Sequence, residues 1–513
     1  MFPRALVFLA CAAAGLAQSR IRFPIGITRL STPVEGMITS DDLDYRTPKT
    51  RILLVGGIDG SRTAGEMIRA ALEWFDTSPA ASRYRGQFDL SAVPLANPDK
   101  NTWRSFPPAG EAYGGVPDPE AHYLWRWIGM HAPDLVVELD SGELVSGLAQ
   151  ATPANTASIP ARRLAAKPGF LPALLGDLER EKFSGPSPAR REIQRRLART
   201  PRQVAEQLAL HYGHDLTEAV YIPAFALIGR LRLGAVEDVE RIVKPYFEGA
   251  KASLGSTATG SHLAGHLVFA ELATLTGKPR YVELVRSAAG LGFDQQGKPR
   301  DSMPLHNEMS DAVFMGCPIL AQAGRLTSEP KYFDMSLRHM RFMLGLNLRP
   351  DGLHRHSPLD STAWGRGNAF AALGLALALS EMPRSQPGRQ EMLRAFQAHI
   401  EALARHQDVT GMWHQVIDVP ASYRELTATA MIAVAILRGI RNGWLEAGKH
   451  QPMVDKAWRA VNARVGPGGG LVDVCTSTGK QKSLREYLDR TAILGPDPRG
   501  GAMALLLATE MER

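Results

Sequence analysis

The stretch Leu275-Thr276-Gly277-Lys278-Pro279-Arg280-Tyr281 returns as Leu326-Thr327-Ser328-Glu329-Pro330-Lys331-Tyr332, placing Tyr281 and Tyr332 51 residues apart. Around it the apolar residues keep helical spacing: Val268, Leu272 and Leu275 share one face, as do Phe333, Leu337, Met340 and Leu344. Further helix-loop-helix units follow near 368–405 and 427–463, turning around Pro383 and Gly443. A period of this size means stacked helical hairpins, and six of them fit the roughly 320 residues from 196 to 513. The arrangement predicts an all-helical domain that either closes into a toroid, an (α/α)6 barrel, or stacks as an open solenoid. Gly- and His-rich loops between hairpins would line one mouth of the ring.

Upstream the grammar changes. From about residue 48 to 142 short β-branched runs alternate with helical ones, as in an α/β sheet. Ile52–Val55, Leu90–Leu95 and Leu135–Leu139 are strand candidates, and Thr63–Phe75 is a helix. Each strand runs into a polar cluster: Gly56 to Gly60, then Asn97-Pro98-Asp99, then Asp140-Ser141-Gly142. Sites in open α/β sheets form at such strand ends. Residues 151–195, broken by Pro153, Pro160, Pro168, Pro172, Pro186 and Pro188, read as the end of this first domain (20–150) plus a linker.

The composition excludes more than it assigns. With 513 residues, 44% hydrophobic and 22% charged, the chain can bury a large core, so disorder is ruled out. The net charge of +7 is spread without a basic run of nucleic-acid-binding type. No internal stretch approaches the roughly 20 apolar residues of a membrane helix. Residues 1–17 read as a secretory leader, with Arg4 as the charged start, Ala5–Ala14 as the apolar run and Gly15-Leu16-Ala17 as the cleavage site. The expectation is an exported protein, periplasmic or extracellular. Three cysteines make no disulfide framework; Cys11 falls in the leader, and Cys317 and Cys475 read as small core residues.

The loops between hairpins carry unusual chemistry: His306 to Asp311, Asp351 to His356, Trp364-Gly365-Arg366-Gly367-Asn368, Gly411 to Gln415 and Ser422 to Glu425. A carboxylate beside His, Arg and Trp suits a carbohydrate: the acid delivers a proton, the cations hold a sugar carboxylate and an aromatic face stacks on the ring. Asp311 also stands where it could merely cap the helix starting at Ala312.

These residues resemble the unsaturated rhamnogalacturonyl and unsaturated glucuronyl hydrolases from about residue 195 to the C-terminus. The likeness is carried by Asp311 to Gly316, Leu326 to Tyr332, Trp364 to Asn368, Gly411 to Asp418, Arg424 to Ala430 and Val474 to Gly479. It implies an α/α barrel with no cofactor and no metal in the reaction. It also implies a substrate that is an oligosaccharide ending in an unsaturated uronic acid. Asp311 matches the acid that protonates the double bond and then guides water. By the same matching His356 and Arg366 contact the substrate; His262, Trp364, Asn368, Phe370 and Trp413 are counted around it, although Trp364 and Trp413 read first as packing aromatics. The sequence departs from the family where a second Asp is expected, at Gly260-Ser261-His262-Leu263, and in having Phe370 in place of Trp. Those departures leave a saturated uronide open as substrate. Neither nucleic acid nor membrane is an expected partner, and homo-oligomerisation stays open.

Residues 20–150 resemble the zinc carboxypeptidases, through Leu53 to Gly60, Asn97-Pro98-Asp99 and Pro133 to Gly142. The three zinc-ligand places hold Asp59, Arg62 and Asp140. Arginine cannot ligate zinc. The reading is therefore a metal-free domain in which Arg62 sits between the two aspartates, against a hard-cation site built from them. A metallopeptidase or deacylase in this domain, or a carbohydrate-binding protein without activity, are the alternatives to an exported glycoside hydrolase.

Overall fold

The computed structural model describes residues 20–110 and 112–513; the leader read at residues 1–17, with Cys11, lies outside the described residues. Eight strands are described: β1 (Ile21–Ile27), β2 (Pro33–Ile38), β3 (Thr50–Val55), β4 (Phe88–Val93), β5 (Leu135–Leu139), β6 (Ala161–Leu164), β7 (Leu471–Cys475) and β8 (Ala492–Gly495). The first six form one sheet in the order β1-β2-β4-β3-β5-β6. From β4 to β6 the neighbours are parallel, and β1 and β2 add an antiparallel edge. Strands β3, β4 and β5 are buried along their whole length, which is why they read as continuous apolar runs.

Alternate residues of those strands feed two cores. Ile52, Leu54, Leu90 and Val137 pack with Ile68 and Leu72 of helix Arg62–Thr77 and with Leu171 and Leu175 of helix Phe170–Arg180. Leu53, Val55, Val93 and Val136 pack on the opposite face with Leu124 and Ile128 of helix Pro119–His131. The segment expected to end the domain and become a linker, 151–195, instead continues it. Its Ala161–Leu164 pairs in parallel with β5, and helix Pro188–Leu197 buries Ile193. Of the prolines that punctuate this stretch, Pro153 and Pro188 open helices and Pro168 lies in a turn. Strands β1 and β2 escaped the sequence reading because Pro24, Gly26, Pro33 and Gly36 mask their alternation.

The second domain is the expected ring. Among the described residues six inner helices contact one another in a closed cycle: Tyr221–Arg232, Gly260–Gly265 continued by Leu267–Thr276, Ala312–Thr327, Gly365–Glu381, Leu426–Arg441 and Pro498–Met511. The repeated heptapeptide is the turn from an inner helix to its outer partner. Gly277 and Ser328 take left-handed backbone after the inner helix, at φ 67° and 58°, and Pro279 and Pro330 open the outer one. Five pairs are consecutive hairpins. The sixth is made by the two ends of the domain, with Pro201–Ala209 packed on Pro498–Met511. Buried Glu510 secures that closure, meeting Arg232 at 2.9 Å, Arg441 at 2.6 Å and Arg438 at 3.3 Å. Although burial opposes its charge, the arginines depress its pKa to about 2.

The domain is not wholly helical. Between its last two long helices β7 and β8 form an antiparallel pair, and the Leu471-Val472-Asp473-Val474 run, with β-branched Val472 and Val474, is buried in it. This insertion lies against the sheet domain. Arg126 pairs with Asp473 at 2.7 Å, Ala112 bridges Ala492, and the Tyr113 ring stacks on Tyr423 at 5.0 Å. Ile27, Tyr113 and Tyr123 from the first domain and Trp364, Tyr423 and Tyr487 from the second share one buried cluster.

Candidate active site

Asp311 precedes helix Ala312–Thr327, yet its carboxylate makes no capping hydrogen bond. It turns instead toward His356, with Oδ2 3.2 Å from Nε2. The imidazole is fully sealed, whereas 13% of the Asp311 side chain is exposed. The contact is close but not aligned as a hydrogen bond, since both atoms are buried without one; such geometry is common before substrate binds. The loop is tied at the backbone, where Ser310 N–H donates to the His356 carbonyl at 2.9 Å. Gly367 presses on the same spot. A methyl group there would come within 2.5 Å of Ser310 Oγ and 3.4 Å of Asp311 Oδ2.

Arg366 lies beneath, 2% exposed. Its Nη1 donates to the Cys475 carbonyl at 2.8 Å and its guanidinium covers the Trp364 ring at 4.9 Å. Glu425, Tyr221 and Asp311 are its electrostatic neighbours. Its Nε is buried and unpartnered, as are Ser310 Oγ, Trp364 Nε1, Gln415 Oε1 and Tyr423 OH. Buried polar atoms are nearly always paired. Ser310, Trp364 and Arg366 bring three unpartnered ones to the Asp311–His356 pair, which marks a place built for a polar guest.

Not every residue expected at the substrate faces it. Trp413 is sealed in the helical core and its indole N–H donates to the Leu403 carbonyl at 2.8 Å. Asn368 spends its amide on the backbone: Nδ2 donates to the carbonyls of His354 and Trp364, and Oδ1 accepts from His354 N–H. Phe370 is a core ring, in edge contact with Tyr221 at 5.4 Å and near Phe314 at 5.0 Å. Trp364 is buried between His356 and Arg366 and backs the site without offering an open face. His262 begins the neighbouring inner helix, where its Nδ1 accepts from Thr259 N–H at 3.1 Å. In this structure Trp413, Asn368 and Phe370 serve packing and loop structure, as the packing reading of Trp413 has it. Tyr221, Gln415, Tyr423 and Tyr487 surround the site unannounced. Gln415 and Tyr423 lie inside motifs quoted above, but no spacing links Tyr487 to His356.

At the sheet rim the pattern differs. Asp59 Oδ1 accepts from Ser61 N–H at 2.9 Å and Asp140 Oδ1 from Ala166 N–H at 2.7 Å. Arg62 is exposed and joins neither carboxylate, so the expected cation bridge is not formed. Among the described residues no group of three or more His, Cys, Asp or Glu could hold a metal ion, and no helix is long and apolar enough to cross a membrane.

A family profile described as Glycosyl Hydrolase Family 88 matches residues 235–513, more than half of the chain. The chain belongs to Glycosyl Hydrolase Family 88. It is 29% identical over 171 residues to an unsaturated 3S-rhamnoglycuronyl hydrolase of Formosa agariphila, covering 29% of this chain and 45% of that protein. It is 28% identical over 187 residues to the unsaturated rhamnogalacturonyl hydrolase YesR of Bacillus subtilis, covering 35% and 52%. The chain thus spans about half the length of the curated relatives it matches. A solved structure from Salmonella enterica, described as a possible member of the GH105 family, superposes with a TM-score of 0.51 at 23% identity, over 62% of this chain and 93% of that one. This likeness is one of fold. The Family 88 match begins after the first inner helix and takes in every residue of the Asp311 site except Tyr221.

Proposed function

We propose that this protein removes an unsaturated uronic acid from the nonreducing end of short oligosaccharides, with Asp311 as proton donor. The observation that supports it most is the placement of Asp311. Its carboxylate stands at a helix start without capping it, lies against a sealed histidine and keeps a partly open flank. In the proposed reaction Asp311 gives its proton to the carbon–carbon double bond beside the ring oxygen. The positive charge that develops next to that oxygen is quenched by water, whose proton returns to Asp311. The resulting hemiketal opens and the neighbouring sugar leaves, so one bond to water is made for one glycosidic bond lost. The buried Arg366 charge and the unpartnered Tyr423 and Gln415 oxygens suit an anionic, hydroxylated ligand. The names of the relatives, hydrolases of unsaturated rhamnoglycuronyl and rhamnogalacturonyl substrates, agree in class.

The conjugated double bond absorbs in the ultraviolet, and the reaction destroys it. Lyase-treated pectin, ulvan and glycosaminoglycan fragments, incubated with the protein, should lose that absorbance in at least one case. Retention of absorbance with all three would overturn the reading. For the first domain we infer no metallopeptidase chemistry, because Arg62 stands in one of the three expected ligand places and arginine cannot ligate zinc. Stoichiometric zinc in the purified protein, lost in Asp140→Ala, would contradict that.

A further inference from the structure

Besides the Tyr113–Tyr423 stack, the first domain reaches the active site through a short helix, Leu484–Leu488, which carries Tyr487. The Tyr487 hydroxyl lies 2.9 Å from His356 Nδ1 and accepts from Gln481 N–H at 3.2 Å. Burial raises its pKa to about 12, so the phenol keeps its proton. Two groups beside it can accept that proton, the Ser357 hydroxyl and the imidazole nitrogen. The nitrogen is the stronger base. With Nδ1 as acceptor, the neutral ring carries its own proton on Nε2, facing Asp311 Oδ2 at 3.2 Å. The other tautomer would set a bare lone pair against a carboxylate oxygen, with both atoms sealed from water.

We propose that Tyr487 is a positioning residue that fixes the tautomer of His356, and that the first domain holds Tyr487 in register. The catalytic part of this rests on Asp311 being the proton donor. With its N–H on the nitrogen 3.2 Å from Oδ2, His356 selects that oxygen as the acceptor once the pair aligns on a ligand, so the acid proton is held on Oδ1. Oδ2 is sealed, and the exposure of the side chain belongs to its other atoms. The proton is thus kept on the oxygen that can reach a ligand. The first domain grips the helix from beyond: Arg29 Nη1 donates to both Asp489 oxygens at 2.8 Å, and Arg485 Nη1 donates to the Thr28 carbonyl at 3.2 Å. Leu488 and Tyr487 are buried with Ile27, Tyr113 and Tyr123 of that domain.

Nitrogen NMR of the full-length protein labelled at histidine, with His356 assigned by comparison with His356→Gln, reads the tautomer directly. The wild type should show the Nε2–H form, and Tyr487→Phe, which keeps the ring, should shift it toward Nδ1–H. In the same variant kcat should fall about tenfold while KM holds, the signature of a group that acts in the transition state. Arg29→Ala should lower kcat in the wild-type background and add little to Tyr487→Phe, because both act through one path. A wild-type Nδ1–H form, or an Nε2–H form and kcat that survive Tyr487→Phe, overturns the proposal. Should no fragment be turned over while the tautomer responds as expected, the substrate reading fails and the positioning of His356 stands.

Discussion

The barrel mouth and the sheet rim each present carboxylates in loops at the ends of their elements, and they use them in opposite ways. Asp311 sits at a helix start without capping it, while Asp59 and Asp140 are spent on backbone N–H groups. What separates a chemical carboxylate from a structural one is therefore the partner and not the position. At the mouth the neighbours are side chains with unsatisfied polar atoms; at the rim a backbone amide takes one oxygen of each carboxylate.

The sharpest way to break this comparison is Asp311→Asn. It keeps the shape, so the melting curve should stay in place while turnover falls by about 10²- to 10⁴-fold, the range lost with a general acid. Activity within twofold of wild type would place the chemistry elsewhere. Next in size is a third kind of carboxylate, Asp42, buried in the first domain beside Arg51 and His131 with Oδ1 lacking a hydrogen bond. Burial, aided by Asp89, raises its pKa from 3.8 to about 7. The folded state thus binds the proton more tightly than the unfolded chain. Its stabilising share is whole below pH 4 and drains away as pH rises toward 7. Thermal melts across that window should show a downward slope from this group that Asp42→Asn flattens; an unchanged slope refutes it.

Smaller still, Arg366→Lys keeps the charge and loses the fork that spans the Cys475 carbonyl and the Trp364 face. KM for an active fragment should rise by about tenfold, with kcat less affected. Asp140→Asn should be smallest, costing about 1 kcal/mol in chemical denaturation by weakening the bond to Ala166 N–H, with turnover untouched. If it abolished turnover of the sugar fragment instead, the rim would have to be counted with the mouth.

The ring was legible because its repeat is local: Gly277 and Ser328 end one helix and Pro279 and Pro330 begin the next, all within seven residues. Asp311, His356 and Arg366 could be named because they fall in motif-bearing loops, and the fold brings them together. Trp413, Asn368 and Phe370 could not be sorted in the same way, since a residue that locks a loop is as tightly specified as one that touches a ligand. Tyr487 was invisible for a different reason. It lies 131 residues from His356, on an insertion whose place is set by contacts with another domain. The strands β1 and β2 were hidden by glycines and prolines that an edge tolerates and a pattern search penalises.

The ring's closing pair joins residues 201–209 to 498–511, with Arg232 waiting for Glu510. A ribosome makes those partners at opposite ends of the domain's synthesis. Until the last helix emerges, the first exposes an apolar flank with nothing to cover it, and the arginines around Glu510 repel one another. Assembly of this barrel is therefore dominated by its most distant contact, a topology that slows folding and leaves the unfinished chain in need of protection.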